Sequence, residues 1–259
     1  MDMRDTIITK LGEIEQEKNV HILLAVESGS RAWGFASPDS DFDVRFIYVS
    51  PRNHYLKLGK IRDVIELPIN DVLDINGWDL DKTLRLLHKS NPTLFEWFSS
   101  PIVYKETPFA EEFRPIMNRY FSSRKGLYHY LSMAAGNYRE YLRGDTVKAK
   151  KYFYVMRPIL ACRWILDHGT PPPMLFSELM DAELDPNVRP AVERLLDIKM
   201  NSPEIKLIPR VEIINEYLDH SIEEVNGRLA QLPDESIHGW EELDALFLRV
   251  LDEYEADPS

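Results

Sequence analysis

Asp41 and Asp43 stand two residues apart in the segment Ser40-Asp41-Phe42-Asp43-Val44-Arg45. Side chains alternate between the faces of a strand, so both carboxylates would project from one side. Carboxylates held together repel, and a bound divalent cation relieves that repulsion. Hard oxygen ligands suit Mg²⁺ or Mn²⁺ and argue against zinc. Upstream, the apolar run Ile22–Val26 ends at Gly29-Ser30, where a glycine lets the backbone turn sharply and bring amide groups close to a bound anion. An isolated Asp-x-Asp is common in surface turns. Preceded by a strand and a Gly-Ser turn, and lying on an apolar strand, it points to a site for metal and phosphate.

Rival chemistries lack their residues. The seven histidines (21, 54, 88, 129, 168, 220, 238) include no pair at a zinc-site spacing. Gly29-Ser30-Arg31 lacks the flanking glycines of a nucleophile elbow, and the chain contains no Gly-x₄-Gly-Lys-Ser/Thr loop. The one cysteine, Cys162, lies in the apolar run ILACRWIL and reads as a buried thiol in a reducing cytoplasm. No apolar stretch approaches the ~20 residues that span a bilayer. The N-terminus MDMRDTIITK lacks a signal peptide's hydrophobic core, so a cytoplasmic protein without membrane contact is expected.

Elements must position the two aspartates. Apolar spacing through Ile7, Ile8, Leu11 and Ile14 predicts a helix over 4–18, followed by a buried strand in VHILLAVES. In DFDVRFIYVS, Phe42, Val44, Phe46 and Tyr48 alternate with Asp41, Asp43, Arg45 and Ile47, the period of a strand with two unlike faces. Short strands follow at 61–66 and 71–76, then a helix at 79–90, stopped by Asn91-Pro92, which opens another. Beyond residue 107 the strand pattern disappears. Amphipathic segments at 123–143, 146–168, 187–200, 209–231 and 239–256 are punctuated by Arg-Gly-Asp, by residues 168–173, and by Pro203 and Pro233. Pro158 inside the second segment predicts a kink near Met156 or an interruption beginning there. The expected fold is α+β: a small mixed β-sheet domain with helices over 1–106, and an all-helical bundle domain over 107–259 with an acidic C-terminal part.

Charge is distributed unevenly. The 259 residues carry 31 basic and 43 acidic side chains, a net charge of −12. Arg114–Arg163 holds eleven Lys/Arg against Glu140 and Asp145, or +9, whereas the tail beyond Arg210 holds fourteen acids against Arg228 and Arg249, or −12. A basic middle in an acidic protein suggests a local anionic partner, or two helices with solvated outer faces.

Gly29-Ser30, the intervening loop, Ser40-Asp41-Phe42-Asp43 and the hydrophobic strand after them resemble the signature of the DNA polymerase β-like nucleotidyltransferase superfamily. The blocks GSRAWGFASPDSDFDVRFIYV, LDINGWDLDKTLRLLHKSNPTLFEWFSSPIVY and KKYFYVMRPILACRW resemble its bacterial branch of predicted nucleotidyltransferases, which includes polymerase-β-family proteins of RNA repair pathways. The resemblance covers roughly residues 20–180.

It implies transfer of a nucleoside monophosphate from a nucleoside triphosphate (NTP) to an acceptor hydroxyl under two metal ions, Mg²⁺ or Mn²⁺, with pyrophosphate leaving. Asp41 and Asp43 would be catalytic metal ligands, and Gly29 and Ser30 would hold a phosphate. Arg31 is a candidate phosphate clamp or, equally, a surface arginine covering Trp33. The superfamily places a third carboxylate on a later strand. Asp74 fits, because Leu73 and Ile75 would face the core while Asp74 points away. Glu66 and Asp79 are the alternatives, Asp79 having a second role as a helix cap. The helical part of such enzymes contributes a cation to the triphosphate and an aromatic near base or ribose, which gives Lys151, Tyr154 and Arg157. The acceptor is left open among an RNA end, a small molecule and a protein. For an RNA acceptor, the basic window and its tyrosines 128, 130, 138, 141, 152 and 154 would be the platform. A non-catalytic nucleotide-binding or antitoxin-like interaction protein of the same fold is the alternative. A metal-dependent phosphohydrolase ranks last, and the oligomeric state is not legible.

Overall fold

The computed structural model describes residues 2–59, 61–68, 72–202, 206–233 and 238–255. Pro203, Asp71 and Ala256, at which the sequence reading placed a break and two element ends, lie outside them. The chain runs through α1 (Met3–Lys18), β1 (His21–Glu27), α2 (Gly29–Ala32), β2 (Phe42–Val49), α3 (Arg52–Tyr55), β3 (Val64–Glu66), β4 (Leu73–Asp79), α4 (Leu80–His88), α5 (Pro92–Phe98), β5 (Val103–Glu106) and α6 (Pro108–Arg119). It continues through α7 (Ser123–Tyr141), β6 (Thr146–Lys148), α8 (Ala149–His168), α9 (Phe176–Glu183), α10 (Arg189–Met200), β7 (Leu207–Pro209), α11 (Glu212–Leu229) and α12 (Glu241–Glu255).

The fold is α+β. Five strands form one mixed sheet in the order β3-β4-β2-β1-β5, in which β2 and β4 are parallel and the other neighbours antiparallel. Alternation along β2 sends Val44, Phe46 and Tyr48 to one side, where Ile7, Leu11 and Ile14 of α1 bury them. Asp43 and Arg45 therefore face the other way.

Several elements were not legible. β5 is a four-residue strand without buried positions, and β6 and β7 have three residues each, too short to establish a period. Pro108 and Pro115 disguise α6, although Pro108 stands in its first turn, where no backbone donor is lost. β4 continues to Asp79, three residues beyond the expected end. Of the kink or interruption expected at Pro158, the interruption does not occur, and α8 remains one helix across it. Its residues Val155 to Cys162 are all buried, and that packing offsets the lost backbone bond.

The chain forms two compact units. One comprises residues 1–29, 41–120 and 237–259, and the other residues 30–40 and 121–236. The sequence reading divided the chain at 106/107 instead. In the structure, α6 packs on β1 and α5 through a ladder of aromatic rings, Phe98–Phe113 and Phe109–Phe113, with centroids 5.1 and 5.0 Å apart. α12 returns to α4 and β2, and Phe247 meets Tyr55 edge-on at 5.1 Å. In the second unit α7 and α8 pair along their length, and Phe35 and Phe153 lie in a core with Tyr152 and Phe176. Cys162 is fully buried there, and burial pushes its thiol well above the ordinary range.

Asp79 ends β4 and caps α4. Its Oδ1 accepts the Asp81 N–H at 2.9 Å, and its Oδ2 accepts the Ser50 and Tyr55 hydroxyls at 3.2 and 3.1 Å. Burial, only partly offset by these donors, raises its carboxyl from 3.8 to about 6. Its folded-state value thus exceeds its unfolded one, so the stability this group contributes is complete below pH 3.8 and is lost as pH rises through about 6. Asp79→Asn stays neutral, and its melting temperature should gain on the wild type between those pH values and level off above them. A difference that does not change over that range would refute this.

Candidate active site

Glu27, Gly29, Asp43, Arg45 and Asp74 meet at one edge of the sheet. In the parallel pairing of β2 with β4, Asp43 and Asp74 are direct register partners. Arg45, two residues along from Asp43 on the same face, reaches back over both. Its Nη2 donates to Asp43 Oδ1 at 3.0 Å and to Asp74 Oδ2 at 2.7 Å, and its Nη1 donates to the Asp74 carbonyl at 3.1 Å. The three side chains are roughly one-fifth to one-quarter exposed. Their attraction is therefore screened less than that of a surface pair, though still in part.

Two features missed in the sequence fix Asp43. Glu27 is 0% exposed at the end of β1. Its carboxylate accepts the Asp43 backbone N–H at 2.7 Å and a short hydrogen bond from the Tyr104 hydroxyl. The Ser28 N–H in turn donates to the Asp43 carbonyl at 2.8 Å. A glutamate closing an apolar strand just before Gly29-Ser30 was the available signal, because a carboxylate is buried there only with partners. Arg45 was visible as the next residue on the aspartate face. Gly29 has a left-handed φ of +61°, and a Cβ there would lie 2.1 Å from Asp43 Oδ2. Only glycine lets the turn lie against the carboxylate.

The remaining candidates fall in separate places. Asp41 is exposed and immediately precedes β2, so the strand itself carries one of the two aspartates of the motif. Glu66 pairs with Arg62 at 2.8 Å and accepts from Asn76 at 3.2 Å on β3. Asp79 is the α4 cap. Among the described residues no group of three or more His, Cys, Asp or Glu side chains is gathered tightly enough to hold a metal ion. The donor set nevertheless fits a hard cation. Asp43 and Asp74 present carboxylate oxygens to the shared Arg45 guanidinium, and Asp41 lies two residues before Asp43.

Ser30 and Arg31 belong to the loop packed in the second unit. Ser30 Oγ donates to Ser40 Oγ at 3.2 Å, and Arg31 Nη2 donates to the Ser40 carbonyl at 2.7 Å. Ser40 and Ser37 hydroxyls lie 3.0 Å apart. Lys199 of α10, 3% exposed, donates from Nζ to Ser37 Oγ at 2.8 Å. A chain of hydroxyls thus links the serine of the Gly-Ser turn to a buried ammonium that sequence reasoning did not single out.

Lys151, Tyr154 and Arg157 share one stripe of α8. Lys151 Nζ lies 3.5 Å from the centre of the Tyr141 ring and 4.9 Å from that of Tyr154. Tyr154 meets Trp33 edge-on at 6.1 Å. Arg157 is 2% exposed, lies 4.7 Å over the Trp33 ring and donates to the Met174 carbonyl at 3.5 Å. It is Arg157 that covers Trp33. Of the six tyrosines expected to form an RNA platform, Tyr130, Tyr138 and Tyr152 are core residues, whereas Tyr128 is exposed and Tyr141 and Tyr154 are half-buried. Ion pairs engage Arg114 with Glu106, Arg119 with Glu242 and Arg163 with Glu224. Lys125, Arg139, Arg143 and Lys148 carry no ion pair among the described residues.

Residues 3–249 match the RNA repair pathway DNA polymerase beta family. The chain is 47% identical over 253 residues to the uncharacterized protein YcgL of Bacillus subtilis (strain 168), a similarity spanning 97% of each chain. It is also similar to a solved nucleotidyltransferase-like protein from Exiguobacterium sibiricum 255-15, at 14% identity and a TM-score of 0.38, over 98% of this chain and 89% of that one.

Two substitutions test this description. Gly29→Ala should lower stability by roughly 1–2 kcal/mol for the left-handed backbone, and should turn the Asp43 carboxylate away from its place beside the turn. Urea unfolding together with the side-chain position in a crystal structure of the variant measures both. Lys199→Met leaves the Ser37 hydroxyl without its buried donor and should cost about 1–3 kcal/mol, with faster amide exchange over 35–40. Wild-type exchange rates in that loop would contradict the anchoring role of Lys199.

Proposed function

The chain belongs to the RNA repair pathway DNA polymerase beta family, and from that premise we propose that it moves a nucleoside monophosphate from an NTP to the hydroxyl of an RNA end. The observation that carries this reading is the register pairing of Asp43 with Asp74 beside the Gly29 turn. It sets two carboxylates next to a glycine turn whose backbone no Cβ covers.

Asp41, Asp43 and Asp74 would hold Mg²⁺ or Mn²⁺, which when bound neutralises the triphosphate and acidifies the attacking hydroxyl. The protein's own residues supply the positioning. Glu27 holds the Asp43 backbone, and Arg45 bridges the Asp43 and Asp74 carboxylates and holds them side by side. Gly29 amide groups and the Ser30 hydroxyl hold phosphate oxygens, with Arg31 able to clamp a second. Lys151, with Tyr154 beside it, offers a cation and an aromatic face to the nucleotide.

For the acceptor, Lys125, Arg139, Arg143 and Lys148 support RNA, with the exposed Tyr128 ring as a stacking surface. Arg114, Arg119 and Arg163 add less, because carboxylates already engage them.

The decisive experiment incubates the protein with each labelled NTP, Mn²⁺ or Mg²⁺ and an RNA pool, beside Asp43→Asn and Asp41→Asn. Label should enter RNA 3′ ends, and each variant should lose at least about 100-fold in rate while its melting temperature stays near the wild type. RNA affinity should fall as salt rises. Label confined to protein or small molecules would refute the RNA acceptor. Unchanged metal-dependent NTP affinity in both variants would refute the carboxylate site itself.

A further inference from the structure

The sheet unit holds a second concave site, remote from the carboxylates. It is a groove of about 500 Å³ bounded by the end of α1, the end of β2, α3 and β3. Its apolar lining comes from Val20, Tyr48, Val64 and Ile65, of which Tyr48 and Ile65 share one face of the sheet and make the floor. Tyr48 and Asp43 lie on β2 at positions of opposite parity and five residues apart. The Tyr48 end of the groove and the Asp43–Asp74 pair are therefore about 17 Å apart along the strand.

Its lining is cationic in a protein of net charge −12. Lys18, Lys57 and Arg62 face one carboxylate among the lining residues, Glu66, which Arg62 engages at 2.8 Å. Lys18 and Lys57 carry no ion pair among the described residues. Neutral donors and acceptors come from the Asn19 and Asn53 side chains. His54 also lines the groove, and its Nε2 is buried with no hydrogen-bond partner among the described residues. Burial and the neighbouring Lys57 lower the affinity of that ring for a proton, so it stands as a neutral acceptor or donor awaiting a partner. The α3 wall is fixed from behind, where Tyr55 bonds Asp79 and the Ser50 N–H.

An apolar floor, uncharged polar groups at hand and exposed cations at the rim match a ring bearing a phosphate. The volume falls in the range of small-ligand sites. We propose that this groove is a metal-independent binding site for a nucleoside monophosphate, separate from the carboxylate edge. The floor takes the base, His54, Asn19 and Asn53 meet polar edges of base or ribose, and Lys18 and Lys57 hold the phosphate.

Isothermal titration in EDTA, with the full chain and AMP, adenosine or inorganic phosphate as titrant, tests this without relying on transfer activity. AMP should bind, with adenosine and phosphate each at least about tenfold weaker, because each lacks one half of the recognition. Binding should persist in Asp43→Asn and fall at least about tenfold in the double variant Lys18→Glu, Lys57→Glu, whose exposed side chains leave the core untouched. Asn53→Trp, which fills the groove without changing its charge, should abolish binding and guards against a charge effect acting elsewhere. The proposal is overturned if AMP fails to bind without metal, if the groove variants bind as the wild type does, or if phosphate alone binds as tightly as AMP. Loss of binding in Asp43→Asn alone would place the nucleotide at the carboxylate edge and also overturn it. A transfer reaction that proves absent leaves this result standing, so the two readings fail separately.

Discussion

The parallel pairing of β2 with β4 sets Asp43 beside Asp74, and the Arg45 guanidinium spans both carboxylates. Two like charges at neighbouring strand positions would otherwise repel, with part of their surroundings dry enough to strengthen that repulsion. Arg45 answers it from the same face of the same strand as Asp43, so the arrangement follows from strand alternation alone. Other features extend it. Glu27 ties down the Asp43 amide, and Gly29 omits the one carbon that would push the carboxylate aside. A guanidinium is also a weaker and more mobile partner for carboxylate oxygens than a divalent ion. The edge is thereby held in order while its oxygens stay exchangeable.

The loop between β1 and β2 solves a different problem. Residues 30–40 leave the sheet and are packed within the helical unit, where Phe35 is buried against Phe153 and Phe176. Trp33 lies under Arg157, and Lys199 holds Ser37. Eleven residues, most of them small or polar, would cost considerable entropy to order on their own. Aromatic anchors and one buried ammonium fix them instead. Ser30 then inherits a defined position through Ser40.

Much of this was legible because it rests on period and turn chemistry. The Gly29-Ser30 turn, the alternation of β2, the Asp79 cap and the placement of Asp74 on a strand all come from local rules. What escaped depends on contacts distant in sequence. Glu27 reads as one polar residue in an apolar strand until Tyr104, 77 residues on, is seen to donate to it. Lys199 reads as a solvated lysine near a helix end, yet it is buried against a serine 162 residues away. β5, β6 and β7 are stabilised by pairing and not by their own pattern. The continuity of α8 across Pro158 escaped in the same way, since the cost of the proline is local and the packing that offsets it is not.

Charge placement follows the same division. Part of the acidic C-terminal region is engaged within each unit: Glu224 with Arg163 in one, and Glu242 with Arg119 and Asp252 with Arg52 in the other. Those pairs withdraw Arg119 and Arg163 from the basic window and also blunt some of the repulsion an acidic tail would exert on a polyanion. Within the sheet unit the two places that would meet anions have opposite needs. The carboxylate edge would attract phosphate only with cations bound, whereas the groove beside Tyr48 presents Lys18 and Lys57 directly. Carboxylates within the groove would weaken any phosphate held by the lysines. The run of β2 from Asp43 to Tyr48 puts about 17 Å between them, more than a Debye length at physiological salt, so one strand can serve both without either field cancelling the other.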